Sequence, residues 1–331
     1  MRHQADKESP HRIGFLLIPG FALMSYAAAI EPLRAANVLA GRQLYAWCHV
    51  SIDGAPVAAS NGASVGADYR VGAAAIDVDT VFVCAGGNPA LYDEPRTFGW
   101  LRGLARRGCR IGGVSGGPYI LARAGLLGDC RCTVHWAHIP AFEEAFPKLR
   151  VSRTLFEIDR GRLTCAGGIA ALDMMHALIG AEHGHALAAA VSDWFLHGHV
   201  REGGGPQRMT LRERYDVRHP KLVLALERME RSLDRRLDRG ELARAIGLSL
   251  RQIERLFRAH LGISLAEHHL ALRLDHAQML LHQTTMPVSE VAVACGFVSL
   301  SHFSRAFRRR FGRPPRIERP KSADAETRAG H

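Results

Sequence analysis

Ser299-Leu300-Ser301-His302-Phe303-Ser304-Arg305-Ala306-Phe307-Arg308, closed by Gly312, repeats at an offset of fifty residues the pattern of Ser249-Leu250-Arg251-Gln252-Ile253-Glu254-Arg255-Leu256-Phe257-Arg258, closed by Gly262. Ser, Leu, Arg, Phe, Arg and Gly return at matching places, so the chain carries two copies of one small helical unit. An apolar-periodic run ending in Gly precedes each copy: Leu242-Ala243-Arg244-Ala245-Ile246-Gly247 in the first and Val291-Ala292-Val293-Ala294-Cys295-Gly296 in the second. Each unit therefore reads as helix, Gly-bearing turn, and a second helix whose first turn is capped by Ser249 or Ser299.

Helical spacing sorts the second helix of each unit into two faces. Leu250, Ile253, Leu256, Phe257 and Leu261 form a core face in the first copy, leaving Arg251, Gln252, Glu254, Arg255 and Arg258 opposite. Phe303, Ala306, Phe307 and Phe311 do the same in the second, leaving Ser301, His302, Ser304, Arg305 and Arg308. A polar, Arg-rich face behind an aromatic core suits a recognition helix, because Arg pairs with guanine in the major groove or with phosphates. The competing reading is a pair of surface hairpins with solvated charge.

The charge balance fits nucleic acid. Net charge is +11, and residues 219–318 hold 17 Lys or Arg against 10 Asp or Glu. Such a module attracts phosphate, and its affinity falls steeply with salt. At 331 residues and 47% hydrophobic, the chain is long enough for two cored domains and too apolar for wholesale disorder. Its seven Cys show neither paired spacings nor a CxxC, which predicts reduced thiols, a cytoplasmic protein and no structural zinc. No apolar run is long enough to span a bilayer. Arg2 and Lys7 ahead of residues 13–24 imitate a signal peptide, but Asp6 and Glu8 dilute that charge and Pro19-Gly20 breaks the run.

The first two hundred residues alternate compact strands with helices. Residues 13–18, 47–52, 80–84 and 110–114 read as strands; 24–39 and 119–124 read as helices. That alternation predicts a parallel sheet covered on both faces, with ligands at the strands' C-terminal edge. Gly86, in Ala85-Gly86-Gly87-Asn88, lies at that edge. So does Gly113-Val114-Ser115-Gly116-Gly117, a G-x-S-x-G pattern whose small residues permit a sharp strand-to-helix turn. His135 follows twenty residues later, and Glu31 lies on the first helix, so nucleophile, base and acid are all on hand.

These residues carry a resemblance. The N-terminal half resembles the PfpI-like branch of the class I glutamine amidotransferase superfamily, which implies a flavodoxin-like α/β domain. Its elbow Cys, following His and helix-borne Glu fall here on Ser115, His135 and Glu31; the Ser is a departure, since it needs a well-placed base where Cys supplies a thiolate. Residues 219–318 resemble the AraC/XylS DNA-binding domain, an all-α module of two helix-turn-helix units. The second repeat carries the closest match: Val288-Ser289-Glu290-Val291-Ala292, Cys295-Gly296-Phe297, Ser299, His302-Phe303, Phe307, Phe311-Gly312 and Pro314-Pro315. Together the halves are similar to the amidotransferase-like subgroup of AraC regulators, whose ligands include arginine-related compounds, glycine betaine and carnitine. Glu31-Pro32-Leu33-Arg34-Ala35-Ala36-Asn37, Ser60-Asn61-Gly62, Cys84-Ala85-Gly86-Gly87 and Thr164-Cys165-Ala166-Gly167-Gly168 match that subgroup.

The resemblance implies a ligand-responsive activator in which the old catalytic pocket serves as a sensor. Partners would be promoter DNA, a small amine or amino-acid ligand, RNA polymerase and a second copy of the chain, with no membrane and no cofactor or metal. Sensor candidates are Glu31, Asn37, Asn61, Gly86, Ser115, His135 and Trp136. Glu31 offers charge to an amine and Trp136 a cation-π face. Against these stand an exposed helix carboxylate, a core tryptophan, and Asn37 and Asn61 as caps or turn residues. A helix over 265–281 is expected to join the two units and set the recognition helices about 34 Å apart. Arg251, Glu254, Arg255, Leu300, Ser301, Ser304 and Arg305 are placed to face bases, Arg258, Arg308 and Arg309 to face the backbone, and Gln252 is a further DNA-binding candidate. Glu254 either accepts from cytosine N4 or pairs with Arg251, Arg255 or Arg258.

Two alternatives stand beside this reading: a Ser115/His135 hydrolase or amidase targeted to DNA, and an architectural DNA binder with a vestigial first domain. Domain limits are 11–200 for the sensor and 219–318 for the DNA-binding module. The Gly-rich stretch 201–218 is the linker and 1–10 and 319–331 are disordered tails.

Overall fold

The computed structural model describes residues 9–284 and 286–318. The disordered tails expected at 1–10 and 319–331 lie outside them, apart from Ser9 and Pro10. The chain divides between Gln207 and Arg208 into two compact units.

The first unit is built on a seven-stranded sheet: β1 (His11–Leu17), β2 (Tyr45–Ser51), β3 (Tyr69–Arg70), β4 (Thr80–Ala85), β5 (Arg110–Ser115), β6 (Phe156–Asp159) and β7 (Arg162–Cys165). Their order is β6-β7-β5-β4-β1-β2-β3, and all pairings are parallel except β6 with β7. Side chains alternate across the sheet because successive residues of a strand point to opposite faces. Phe15, Leu17, Phe82 and Cys84 pack under helices Leu23–Ala40, Ala170–His183 and His185–Trp194. Leu16, Ile18, Val81 and Val83 pack under Pro95–Arg106, Gly117–Arg123 and Ile139–Ala145. Helices on both faces make the central strands apolar on every side, which is why they read as continuous hydrophobic runs. The predicted strands and first helix agree with this sheet to within about two residues, the usual uncertainty of element ends.

The second unit is helical. Its elements are Leu211–Tyr215, Pro220–Glu230, Arg239–Ala245, Leu250–Leu261, Leu265–Gln283, Val288–Ala294, Leu300–Phe311 and Pro315–Glu318. It has two small cores, one around Leu226, Leu242, Ile253 and Phe257 and one around Leu281, Val291, Phe303 and Phe307. Ser249 Oγ accepts from the Gln252 amide and Ser299 Oγ from that of His302, so both serines cap their helices. Gly262 and Gly312 end those helices in the left-handed region.

Residues 201–218, read as linker, are held at both ends. Arg201 and Gln207 are bonded into the first unit, while Leu211, Tyr215 and Val217 pack in the first core of the second.

His268 is buried among Tyr215 and Phe257, and its Nε2 has no hydrogen-bond partner among the described residues. Burial pushes its pKa down to about 4, so the folded protein holds it neutral. The unfolded chain, with an ordinary His near 6.5, binds the extra proton first. Stability is therefore full above pH ~6.5 and lost as pH falls from there toward the folded pKa. Urea unfolding of wild type and His268→Gln across that window should show a shallower pH slope in the variant.

Candidate ligand pocket and nucleic-acid interface

Four loops meet at the C-terminal edge of β1, β4, β5 and β7. Ser115 ends β5 with φ +58°, a left-handed conformation rare for a residue with a side chain, and it is buried. The Gly116 amide donates to Ala85 O across 3.1 Å, locking this turn to the end of β4. Gly86 sits where the β4 loop crosses the β1 loop: a Cβ there would lie 2.7 Å from Gly20 O. Gly167, after β7, is wedged between Ser115 and Ser25, and a Cβ there would stand 2.8 Å from Ser115 Cβ and from Ser25 Oγ. Ser25 Oγ also accepts from the Gly168 amide at 2.7 Å.

His135 and Trp136 lie on segment 133–138, which hangs from β7 through the Thr133 amide donating to Thr164 Oγ1 at 3.0 Å. His135 Nδ1 accepts from the Ala137 amide, and burial lowers the pKa of the ring, so it is a neutral imidazole at physiological pH. Its ring lies 5.3 Å from that of Trp136, which is 38% exposed.

The remaining sensor candidates are engaged elsewhere. Glu31 is the ninth residue of helix Leu23–Ala40, about 12 Å along the axis from its start. Its carboxylate accepts from Arg34 Nε at 2.8 Å and Nη2 at 2.6 Å. Asn37 clamps the next connection, accepting from the Leu44 and Tyr45 amides and donating to Tyr45 O. Asn61 Oδ1 accepts from the Ala63 amide in the turn between the paired strands Val57–Ala58 and Ser64–Val65. No hydrogen bond joins Ser115 to His135 among the described residues, and Glu31 serves Arg34, so the expected elbow triad is not assembled. Burial holds Cys165 as a thiol, its pKa pushed up to about 12. No cluster placed to hold a metal ion occurs among the described residues.

Sequence reasoning gave no role to Ser25, Thr133, Asp173 or Gln207. Thr133 Oγ1 donates to Ser152 O and Thr154 O and accepts from Gln207 Nε2. The Asp173 carboxylate, sealed from solvent, accepts from Arg201 Nε and Nη2 and from His197 Nε2. A polar residue two positions beyond a Gly-rich run gave no signal of such anchoring.

On the second unit, Arg251, Arg255 and Arg258 form one exposed stripe, and Ser301, Arg305 and Arg308 form its counterpart fifty residues on. Those five arginines make no side-chain hydrogen bond or ion pair among the described residues, whereas Arg310, on the same helix, is bidentate to Asp275 at 2.8 and 2.7 Å. Leu300 opens its helix 48% exposed beside Ser301, while Ser304 is half-buried. Glu254 pairs with none of the arginines of its own helix. It pairs with Arg239 at 3.5 Å and accepts from the Leu265 amide at 3.3 Å, which braces the helix against its neighbours. The Gln252 oxygen is likewise occupied, accepting from the Ser249 amide at 2.8 Å.

Residues 11–181 match the DJ-1/PfpI family, and residues 242–319 match a helix-turn-helix domain family. The chain is 47% identical over 317 residues to the HTH-type transcriptional regulator GlxA of Rhizobium meliloti (strain 1021), covering 95% of this chain and 97% of the relative. It is 45% identical to the HTH-type transcriptional regulator GbdR of Pseudomonas aeruginosa, covering 95% and 85%. Among solved structures, an AraC family transcriptional regulator from Pseudomonas putida superposes with TM-score 0.52 at 29% identity, over 56% of this chain and 100% of that one.

The free arginines divide by expected effect. Arg255→Ala or Arg305→Ala should cost about 1–3 kcal/mol on a preferred site and relax preference at one base pair. Arg258→Ala or Arg308→Ala should weaken all sequences alike and reduce the salt slope of binding by about 1. Titrations on selected and scrambled DNA at several salt concentrations separate the two classes.

Proposed function

The chain belongs to the family of transcriptional regulators that join a DJ-1/PfpI domain to an AraC-type helix-turn-helix domain, and we propose that it activates transcription in response to a small amine or amino-acid metabolite. The observation that carries the reading is the pair of matching arginine stripes, left without hydrogen bonds or ion pairs among the described residues on two helices of one unit. Of the other two arginines of those helices, Arg310 is paired with Asp275, and Arg309 is exposed with no hydrogen bond or ion pair among the described residues, so the stripes and Arg309 are open to phosphate and base edges.

The sensor would be the C-terminal edge of the sheet. Ser25 and Ser115 offer hydroxyls, His135 is a neutral ring that does not repel a cation, and Trp136 offers an aromatic face. This moves amine recognition from Glu31 to the segment 133–136. Hydrolysis is disfavoured because, among the described residues, no base is hydrogen-bonded to Ser115 to deprotonate it. The working assembly would be a cytoplasmic homodimer on promoter DNA, contacting RNA polymerase. Ligand acts by binding one arrangement of the protein better than another, and its leverage is limited to that difference.

A thermal-shift screen of the full chain against arginine, ornithine, glycine betaine, carnitine and choline tests the ligand class. A selective stabilisation is expected that Trp136→Ala weakens and Glu31→Gln leaves unchanged. A shift abolished by Glu31→Gln, or none with any compound, contradicts the assignment.

A further inference from the structure

The strap 197–207 leaves the first unit's last helix and is fixed to that unit at two places of very different strength. At its start, Arg201 donates to Asp173 through its amide at 2.9 Å, Nε at 3.0 Å and Nη2 at 2.6 Å, and His197 Nε2 lies 2.8 Å from the same carboxylate. Charge-assisted, bidentate bonds to a sealed carboxylate make this a firm anchor. The strap then lies against the start of β6, with the Leu155 amide donating to Gly203 O at 2.8 Å and Pro206 bridged to Thr154.

At its end the side chain that holds it among the described residues is that of Gln207. Gln207 Nε2 donates to Thr133 Oγ1 at 3.0 Å, Val134 O at 3.0 Å and Thr154 O at 2.8 Å. Its Oε1 is buried with no partner among the described residues. Two hydrogens serve three acceptors and all the bonds are neutral, so this hold is weaker than the charged anchor at Arg201. Two of the three acceptors, Thr133 and Val134, immediately precede His135 and Trp136. Gln207 is also the last residue of the first unit.

We infer that Gln207 is the positioning residue through which pocket occupancy reaches the DNA-binding unit: a ligand that shifts segment 133–136 undocks Gln207 and frees 202–207. Six freed residues add up to ~20 Å of tether between the firm anchor at Arg201 and the second unit. A short, fixed tether restricts how the second unit is presented to DNA, and a longer one does not. The inference rests on placing the sensor at segment 133–136.

The test uses the full chain, DNA selected from random sequence by wild type, and glycine betaine and arginine as probes. Gln207→Ala and Gln207→Glu should speed hydrogen exchange of the Leu155 amide at least tenfold. Both should also change the ligand-free Kd for DNA at least threefold, to a value the probes no longer alter. Faster exchange with an unchanged Kd makes the strap a structural tie and overturns the inference; unchanged exchange overturns the latch itself. Should neither variant fold, wild type decides: the Leu155 amide must exchange faster than that of Ala166, which donates to Leu155 O, and equal rates overturn the claim. A wild type indifferent to both probes counts against the amine class alone, because the Kd change is read without ligand.

Discussion

Everything the second unit does depends on helix Leu265–Gln283 acting as one rigid rod, 19 residues and about 28 Å long. The first recognition helix is tied to its start, where Glu254 accepts from the Leu265 amide. The second is tied to its middle and far half. Asp275 grips Arg310, Arg273 donates to Cys295 O and stacks 4.1 Å from the Phe297 ring, and Gln278 and His282 bond to buried Glu318. These contacts hold the flanking helices to the rod. Two arginine stripes referenced to one rod keep a set separation, which allows a protein to demand two correctly spaced half-sites instead of one.

The sensor unit uses a different economy of forces. Its loops are fixed by backbone approach so close that only glycine fits, as at Gly86 and Gly167, and by a nucleophile-elbow residue held at positive φ. That geometry is what an acyl-transfer site requires, yet among the described residues no hydrogen bond joins Ser115 to His135. What remains is a rigid rim with one tethered segment, 133–138, whose aromatic residue is part-exposed.

Legibility followed the range of the interactions involved. Helix caps at Ser249 and Ser299, the Gly stops and the apolar run of the first strand are set by neighbours in sequence, and all could be read from it. The seven-stranded order could not, because it depends on pairings between distant strands, and the β6–β7 hairpin has no turn signature beyond Arg160-Gly161. Glu31 was assigned by analogy to the pocket, but a partner one turn away, Arg34, satisfies it more cheaply. Glu254 was weighed against its own helix, whereas Arg239 and Leu265, its actual partners, come from flanking helices. Gln207 was invisible: a polar residue after Gly203-Gly204-Gly205-Pro206 looks like linker until tertiary structure brings Thr133 and Thr154 to it.

Hydroxyl-radical footprinting of the full chain on DNA it selects from random sequence tests the central claim most directly. Two protected tracts per bound chain, about one helical turn apart on one face of the duplex, are what two helix-turn-helix units on a single rod require. One tract, or two whose separation varies freely between selected sequences, would contradict the account.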